Sequence, residues 1–303
     1  MSKNRGQSPI SHSGSGDIGN RALTPISGTV YLVGAGPGAA DLLTLRAARL
    51  LGEADVVFHD ALIHPDTLAL AHRAEKILVG KRSGRHSTAQ RFINKRLLDA
   101  AQRYRVVVRL KGGDPMLFGR AHEEIEFLSS HQVPVEVIPG VTAALAASAE
   151  LGVSLTQRLL ARTVVFATPR TAPGATPSGW EKAVAAADTA ALYMAAGEAR
   201  AVSEALLRAG VPAETPVAIA ADVSLAGSSV RAGTLAQLER LAEGLGGGPS
   251  LVLVGKVFAA LQREPQRQRE ERDEPQQRPL GDRQAEESPV DGGALTGTFD
   301  ERR

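Results

Sequence analysis

The chain has 303 residues, 43% of them hydrophobic and 22% charged, which fits a soluble globular protein of one large or two medium domains. It contains no cysteine, which excludes disulfides, thiolate metal sites and thiol catalysis, and no apolar run approaches the roughly 18 residues of a membrane helix. The net charge of +2 hides a block at 81–120 with eleven Lys/Arg against two acids, so the expected partner is an anionic ligand or, alternatively, nucleic acid.

Residues 1–27 are rich in Ser, Gly, Asn and Arg without periodicity and read as a disordered leader; with no apolar signal core, a cytoplasmic location is the default expectation. Folding is expected to start at the strand Thr29–Val33. This runs into Gly34-Ala-Gly-Pro-Gly38 and then a helical pattern at 42–51, the order of a nucleotide-binding loop. Gly34, Gly36 and Ala39 satisfy G-x-G-x-x-[GA], and Asp60 follows the next strand, 54–58, about where a ribose-binding carboxylate would lie. A helix around 65–71 and a strand at 76–79 lead to a second glycine-and-base loop, Gly80-Lys-Arg-Ser-Gly-Arg-His-Ser87. A helix over 88–103, capped by Ser87 or Thr88, comes next.

The β-branched run Arg105-Val-Val-Val-Arg109 reads as a buried strand entering Leu110-Lys-Gly-Gly-Asp-Pro-Met-Leu-Phe-Gly-Arg120. Gly112 and Gly113 allow a close backbone approach to a ligand. Asp114 before Pro115 is then either a ligand-contacting carboxylate or the cap of the next helix. A helix at 121–131, a strand at 133–138, the turn Pro139-Gly-Val-Thr-Ala143 and a small-residue helix complete the first half. The second half offers strands at 163–167, 189–194, 216–220, 229–231 and 250–254, with helices at 180–187, 198–209 and 234–244. The reading is therefore an α/β protein of two domains, 28–145 and 146–260, the first with a largely parallel sheet whose strand-end loops gather on one ligand-binding edge. A charged tail over 261–303 cannot build a core and is expected to be disordered.

Five loops recur in a fixed order: Val33–Gly38, Phe58-His-Asp-Ala-Leu62, Gly80–Ser87, Arg109–Pro115 with Phe118-Gly-Arg120, and Val137–Ala143. In order and spacing they resemble the tetrapyrrole methylases, and within them the uroporphyrinogen-III C-methyltransferase group, over residues 28–259. The resemblance implies two α/β domains with mostly parallel sheets, the second one mixed, and an active site in the cleft between them. It also implies S-adenosylmethionine as cofactor, uroporphyrinogen III as substrate, two C-methylations giving precorrin-2, and a homodimer without nucleic-acid, membrane or metal partners. It places the cofactor on Pro37, Gly112, Gly113, Asp114, Leu117, Thr142, Ala143, Met194 and Val223. It assigns Asp60 as proton acceptor and Lys81 as proton donor. For a polycarboxylate substrate it leaves Arg82, Arg85, Lys111, Arg120 and Arg158 as counter-charges, with Arg109 also able to pair within the fold.

The second half departs from the family pattern. Leu155-Thr-Gln-Arg158 stands for Leu-Thr-His-Arg, Val223 stands where a glycine is expected, and Gly227-Ser-Ser229 replaces a Gln-Arg. Two rival readings follow: a nicotinamide-dependent dehydrogenase resting on Gly34, Gly36, Ala39 and Asp60, and a non-catalytic or RNA-directed relative resting on the basic block and these second-half departures.

Overall fold

A computed structural model of the protein describes residues 28–79, 90–171, 174 and 178–262. The expected leader, the basic loop with Lys81, Arg82 and Arg85, and the tail from 263 lie outside the described residues.

The first half strictly alternates strand and helix. β1 (Thr29–Gly34) is followed by a short 3-10 turn (Ala40–Leu42), α1 (Leu45–Glu53), β2 (Val56–His59), α2 (Pro65–Ala69), β3 (Glu75–Leu78), α3 (Gln90–Ala101), β4 (Val106–Lys111), α4 (Ala121–Ser130) and β5 (Val135–Ile138). All five strands are parallel, in the order β3-β2-β4-β1-β5. Both faces of such a sheet must be covered, and the period of two along β1 shows how. Val30 and Leu32 join the core under α3 and α4 (Ile93, Leu97, Leu128), whereas Val33 joins the core under α1 (Ala47, Leu50, Leu51). The register pairs Gly34 with Lys111 and His59 with Leu110, so the strands end level and their following loops share one edge.

α5 (Ala143–Glu150) leads to the second sheet, built from β6 (Val164–Ala167), α6 (Trp180–Ala186), β7 (Thr189–Tyr193), α7 (Ala199–Arg208), β8 (Pro216–Ala221), β9 (Ser229–Thr234), α8 (Leu238–Ala242) and β10 (Ser250–Gly255). Its order is β6-β7-β10-β8-β9, with β6 and β7 parallel and the other pairs antiparallel. Alternation again divides the residues. Leu192, Ile219 and Val252 face α6, α7 and α8, while Ala191, Ala218, Leu251 and Leu253 face α5 and Phe258. The small residues of α5 (Ala144, Ala146, Ala147) let its backbone lie close on the second sheet. The boundary expected between 145 and 146 therefore falls inside a helix that packs with the second half. A terminal 3-10 turn, Lys256–Gln262, also carries order two residues into the segment expected as tail, because Leu261 packs beside Phe258. Among the described residues no helix is long and apolar enough to cross a membrane.

Candidate active site

Three loops meet where β4, β1 and β5 end. Ala35 donates its N–H to Lys111 O at 2.7 Å, and Gly36 and Gly113 exchange backbone hydrogen bonds at 3.2 and 2.7 Å, tying the β1 loop to the β4 loop. A Cβ on Gly34 would lie 2.6 Å from Gly140 N and 2.7 Å from Gly113 O, so only glycine lets the three backbones touch. Asp114 locks the junction. Its Oδ1 accepts Met116 N–H at 2.8 Å and its Oδ2 accepts Gly140 N–H at 3.0 Å. Asp114 thus turns its own loop and fastens it to the β5 loop; it is not the cap of α4, whose N-cap is Arg120.

The second half closes over this edge at two places. Ala39 N–H donates to Ser224 Oγ at 3.0 Å, and a Cβ on Gly38 would lie 2.9 Å from Leu225, so the β1 loop rests on the turn after β8. Tyr193, at the end of β7, shares a 2.6 Å hydrogen bond with Thr142 Oγ1, and its hydroxyl accepts Ala144 N–H at 3.3 Å. It thereby caps α5 from another element, a service the Thr142 side chain does not perform. Burial pushes the Tyr193 hydroxyl above its usual value. Its ring lies 5.1 Å from Phe118 and 6.2 Å from Phe166, an apolar wall at the seam.

Backbone strain gathers at the same edge. Phe118, Arg120, Met194, Asp222 and Ser224 all hold positive φ, between 51° and 69°, a region costly for residues with side chains. Met194 is 44% exposed in that conformation. A core methionine would need neither the exposure nor the strain.

Asp60, just beyond β2, is half-buried, and its Oδ1 accepts a 2.6 Å bond from Arg109. The Arg109 Nε donates at 3.2 Å to Glu124 of α4, which also receives Lys111 Nζ at 3.1 and 3.2 Å and Gln90 Nε2 at 2.9 Å. Burial, and next the nearby Arg109 charge, push the Lys111 ammonium below its usual value.

The residues expected from sequence fall into three groups. Pro37, Gly112, Gly113, Asp114, Leu117, Thr142, Ala143 and Met194 come from the loops and strand end that meet at this edge; Gly112 is exposed and a Cβ there would touch nothing within 4 Å. Val223 lies on the turn that receives Ala39, but its side chain is 6% exposed and packs with Ala144 and Phe258, leaving only its backbone available to a ligand. The substrate counter-charges fare differently. Lys111 is 3% exposed, its ammonium buried against Glu124. Arg120 is half-exposed and paired with Glu123 at 2.6 and 2.7 Å, and this pairing holds the Glu123 carboxyl below its ordinary range. Arg158 is exposed on the tight turn between Gln157 and Ala161. Lys81, Arg82 and Arg85 are outside the described residues.

Sequence reasoning missed Glu124, Tyr193 and Ser224. Glu124 had a signal: Ala121, Glu124 and Leu128 are spaced three and four apart, which places the acid on the buried face of α4. Tyr193 and Ser224 had none, because both act across elements far apart in sequence.

The geometry also bears on the dinucleotide reading. The N–H groups of Ala35, Gly36 and Ala39 are already spent on Lys111, Gly113 and Ser224. The helix does not begin until Leu45, capped by Thr44. A pyrophosphate cradle needs those donors and a helix N-terminus directly after the glycines.

A family model for tetrapyrrole (corrin/porphyrin) methylases matches residues 29–239. The siroheme synthase of Pseudomonas fluorescens (strain Pf0-1) is 46% identical over 233 residues, covering 76% of this chain and 50% of that protein. The chain thus spans about half the length of the curated relatives it matches. Among solved structures, the uroporphyrin-III C-methyl transferase of Thermus thermophilus complexed with S-adenyl homocysteine shares 39% identity and a TM-score of 0.68, covering 77% of this chain and all 100% of that one. A cobalt precorrin-4 methyltransferase shares 27% identity and a TM-score of 0.67, covering 76% of this chain and 95% of that one. By its matched residues, its identity to these relatives and its two-sheet architecture, the chain belongs to the tetrapyrrole methylases.

Proposed function

We propose that the protein is an S-adenosylmethionine-dependent methyltransferase that methylates uroporphyrinogen III at two ring carbons to give precorrin-2. The observation that carries this reading is the convergence of Gly112–Asp114, Thr142–Ala143 and the strained, exposed Met194 on one edge, beside the family membership. The residues suit the cofactor's chemistry. Asp114 is a half-buried carboxylate for an ammonium, Gly112 leaves room beside its backbone, and Leu117, Ala143 and Met194 are partly exposed apolar surfaces for an adenine.

S-adenosylmethionine supplies an electrophilic methyl whose departure leaves a neutral thioether, so the reaction asks for no Lewis acid. The ring carbon that gains the methyl leaves the macrocycle positively charged, and loss of a proton from the macrocycle to Asp60 restores neutrality. Catalysis then rests on in-line positioning together with that proton transfer. Arg120 and Arg158, both exposed to some degree, are the described cations available to substrate carboxylates; Lys81, Arg82 and Arg85 complete that group in the same reading. A homodimer belongs to it as well and is checked by analytical ultracentrifugation.

Calorimetric titration with S-adenosylmethionine and S-adenosylhomocysteine tests the cofactor directly, with NADH as control. Micromolar binding of both, with a raised melting temperature, is expected. Binding of NADH in their place would restore the dehydrogenase reading.

A further inference from the structure

Asp60 is the half-exposed outer end of a chain of charges whose other members, Arg109, Glu124 and Lys111, are buried. The guanidinium of Arg109, 3% exposed, has all three nitrogens engaged: Nη2 to Asp60 Oδ1 at 2.6 Å, Nε to Glu124 Oε1 at 3.2 Å, and Nη1 to Leu110 O at 3.0 Å. Glu124 is wholly buried and is itself fixed by Lys111 from β4 and Gln90 from α3. Asn94, buried beside it, accepts from Gln90 at 3.0 Å and donates to Glu123 O at 3.2 Å. Four elements thus hold one arginine in place, and the two acids balance the two cations. That arginine grips one oxygen of Asp60 and leaves Oδ2 without a hydrogen-bond partner among the described residues.

We infer that Arg109 is a positioning residue for the methyl-transfer reaction: anchored by Glu124, it clamps Asp60 Oδ1 so that Oδ2 is presented to the substrate proton. This rests on the reading of Asp60 as proton acceptor. A buried ion pair is a poor device for stability, because desolvation offsets most of its attraction. A planar fork that bridges two acids is a good device for geometry, since it fixes direction as well as distance. Lysine, a point charge on a flexible stem, cannot span both carboxylates in this way.

The test is a double-mutant cycle on the full chain with Asp60→Ala, Arg109→Lys and their combination. It reads kcat and KM for methylation and the affinity for S-adenosylhomocysteine. Asp60→Ala should lower kcat by about 10²–10³-fold and Arg109→Lys by about 10²-fold, through a misplaced acceptor. Both should leave S-adenosylhomocysteine affinity within about threefold, since neither residue lies in the Asp114 junction. The combination should be no slower than Asp60→Ala alone, as for residues acting as a unit. Losses that multiply would overturn the clamp, as would an Arg109→Lys protein that loses cofactor affinity in proportion to kcat. Wild-type turnover by Asp60→Ala would remove Asp60 from the reaction, a failure of the functional reading that is distinguishable from failure of the clamp. If Arg109→Lys does not fold, Glu124→Gln carries the same cycle. It keeps the shape and can still accept from Nε, so a loss of about tenfold in kcat that vanishes in the Asp60→Ala background is expected. A loss that persists there would refute the inference.

Discussion

Replacing Asp114 with asparagine keeps the side-chain shape and halves its accepting capacity. In the native junction Oδ1 takes Met116 N–H at 2.8 Å and Oδ2 takes Gly140 N–H at 3.0 Å, both charge-assisted. An amide can satisfy one of these donors with its oxygen. Its NH₂ must then face the other N–H, and two donors meet at hydrogen-bond distance. A charged hydrogen bond contributes about 1.5–3 kcal/mol; because Asp114 is half-buried, a net loss of about 2 kcal/mol is expected. For an ordered region of this size that corresponds to a melting temperature lower by roughly 4–8 °C. Since the same bonds fasten the β4 loop to the β5 loop, S-adenosylhomocysteine affinity should fall by more than tenfold in the same protein. Differential scanning calorimetry with and without S-adenosylhomocysteine separates the two effects. A variant melting within 1 °C of wild type, with unchanged S-adenosylhomocysteine affinity, would refute the assignment of Asp114 as the lock of the junction.

Gly34→Ala should be more damaging than a surface glycine change, because the new Cβ meets backbone atoms of Gly140 and Gly113 that have nowhere to move. Overpacking of about 1–3 kcal/mol with loss of cofactor binding is expected by thermal melting and calorimetry, whereas Gly227→Ala, with open space around it, should be silent. Ser224→Ala and Ser224→Gly both remove the acceptor for Ala39 N–H, but only glycine relieves the positive φ. Equal weakening of S-adenosylhomocysteine binding, about 2–10-fold, is expected for the two, and wild-type affinity in the glycine variant would discount the hydrogen bond. Tyr193→Phe keeps the ring contacts with Phe118 and Phe166 and orphans Thr142 Oγ1 and Ala144 N–H, for a loss of about 1–3 kcal/mol by denaturant titration. Because the folded Tyr193 holds its proton more tightly than the unfolded chain, its contribution is complete below pH 10.0 and is lost as pH rises through the higher folded value. The alkaline fall in stability should therefore be shallower in the phenylalanine variant.

What the sequence made legible follows from local rules. Each described strand and α-helix overlaps a segment expected from the sequence, mostly because period two and period 3.6 are imposed on the chain by which faces are buried; the 3-10 turn Lys256–Gln262 was not among them. The glycine loops were legible for a related reason: Gly34, Gly113 and Gly140 are spaced by the sheet, one at the end of each of three neighbouring strands. The polar interior was legible only on the α4 side, where the spacing of Ala121, Glu124 and Leu128 marks a buried acid. Arg109 and Lys111 stand two apart on β4, and that spacing puts both on one face. It does not say whether the face meets solvent or an acid, and only Glu124 on α4 decides that they turn inward. The seam was the least legible part. Ser224 and Ala39 are 185 residues apart, and Tyr193 and Thr142 are 51 apart, so no window of sequence holds both partners. The turn carrying Val223, which departs from the family pattern, nonetheless docks on the β1 loop through Ser224.

The most direct measurement is anaerobic incubation of the purified protein with uroporphyrinogen III and methyl-labelled S-adenosylmethionine, followed by mass spectrometry of the tetrapyrrole. Two labelled methyl groups on the macrocycle, with S-adenosylhomocysteine formed in step, are the expected result. An unlabelled tetrapyrrole from protein that demonstrably binds S-adenosylhomocysteine would contradict uroporphyrinogen III as the substrate.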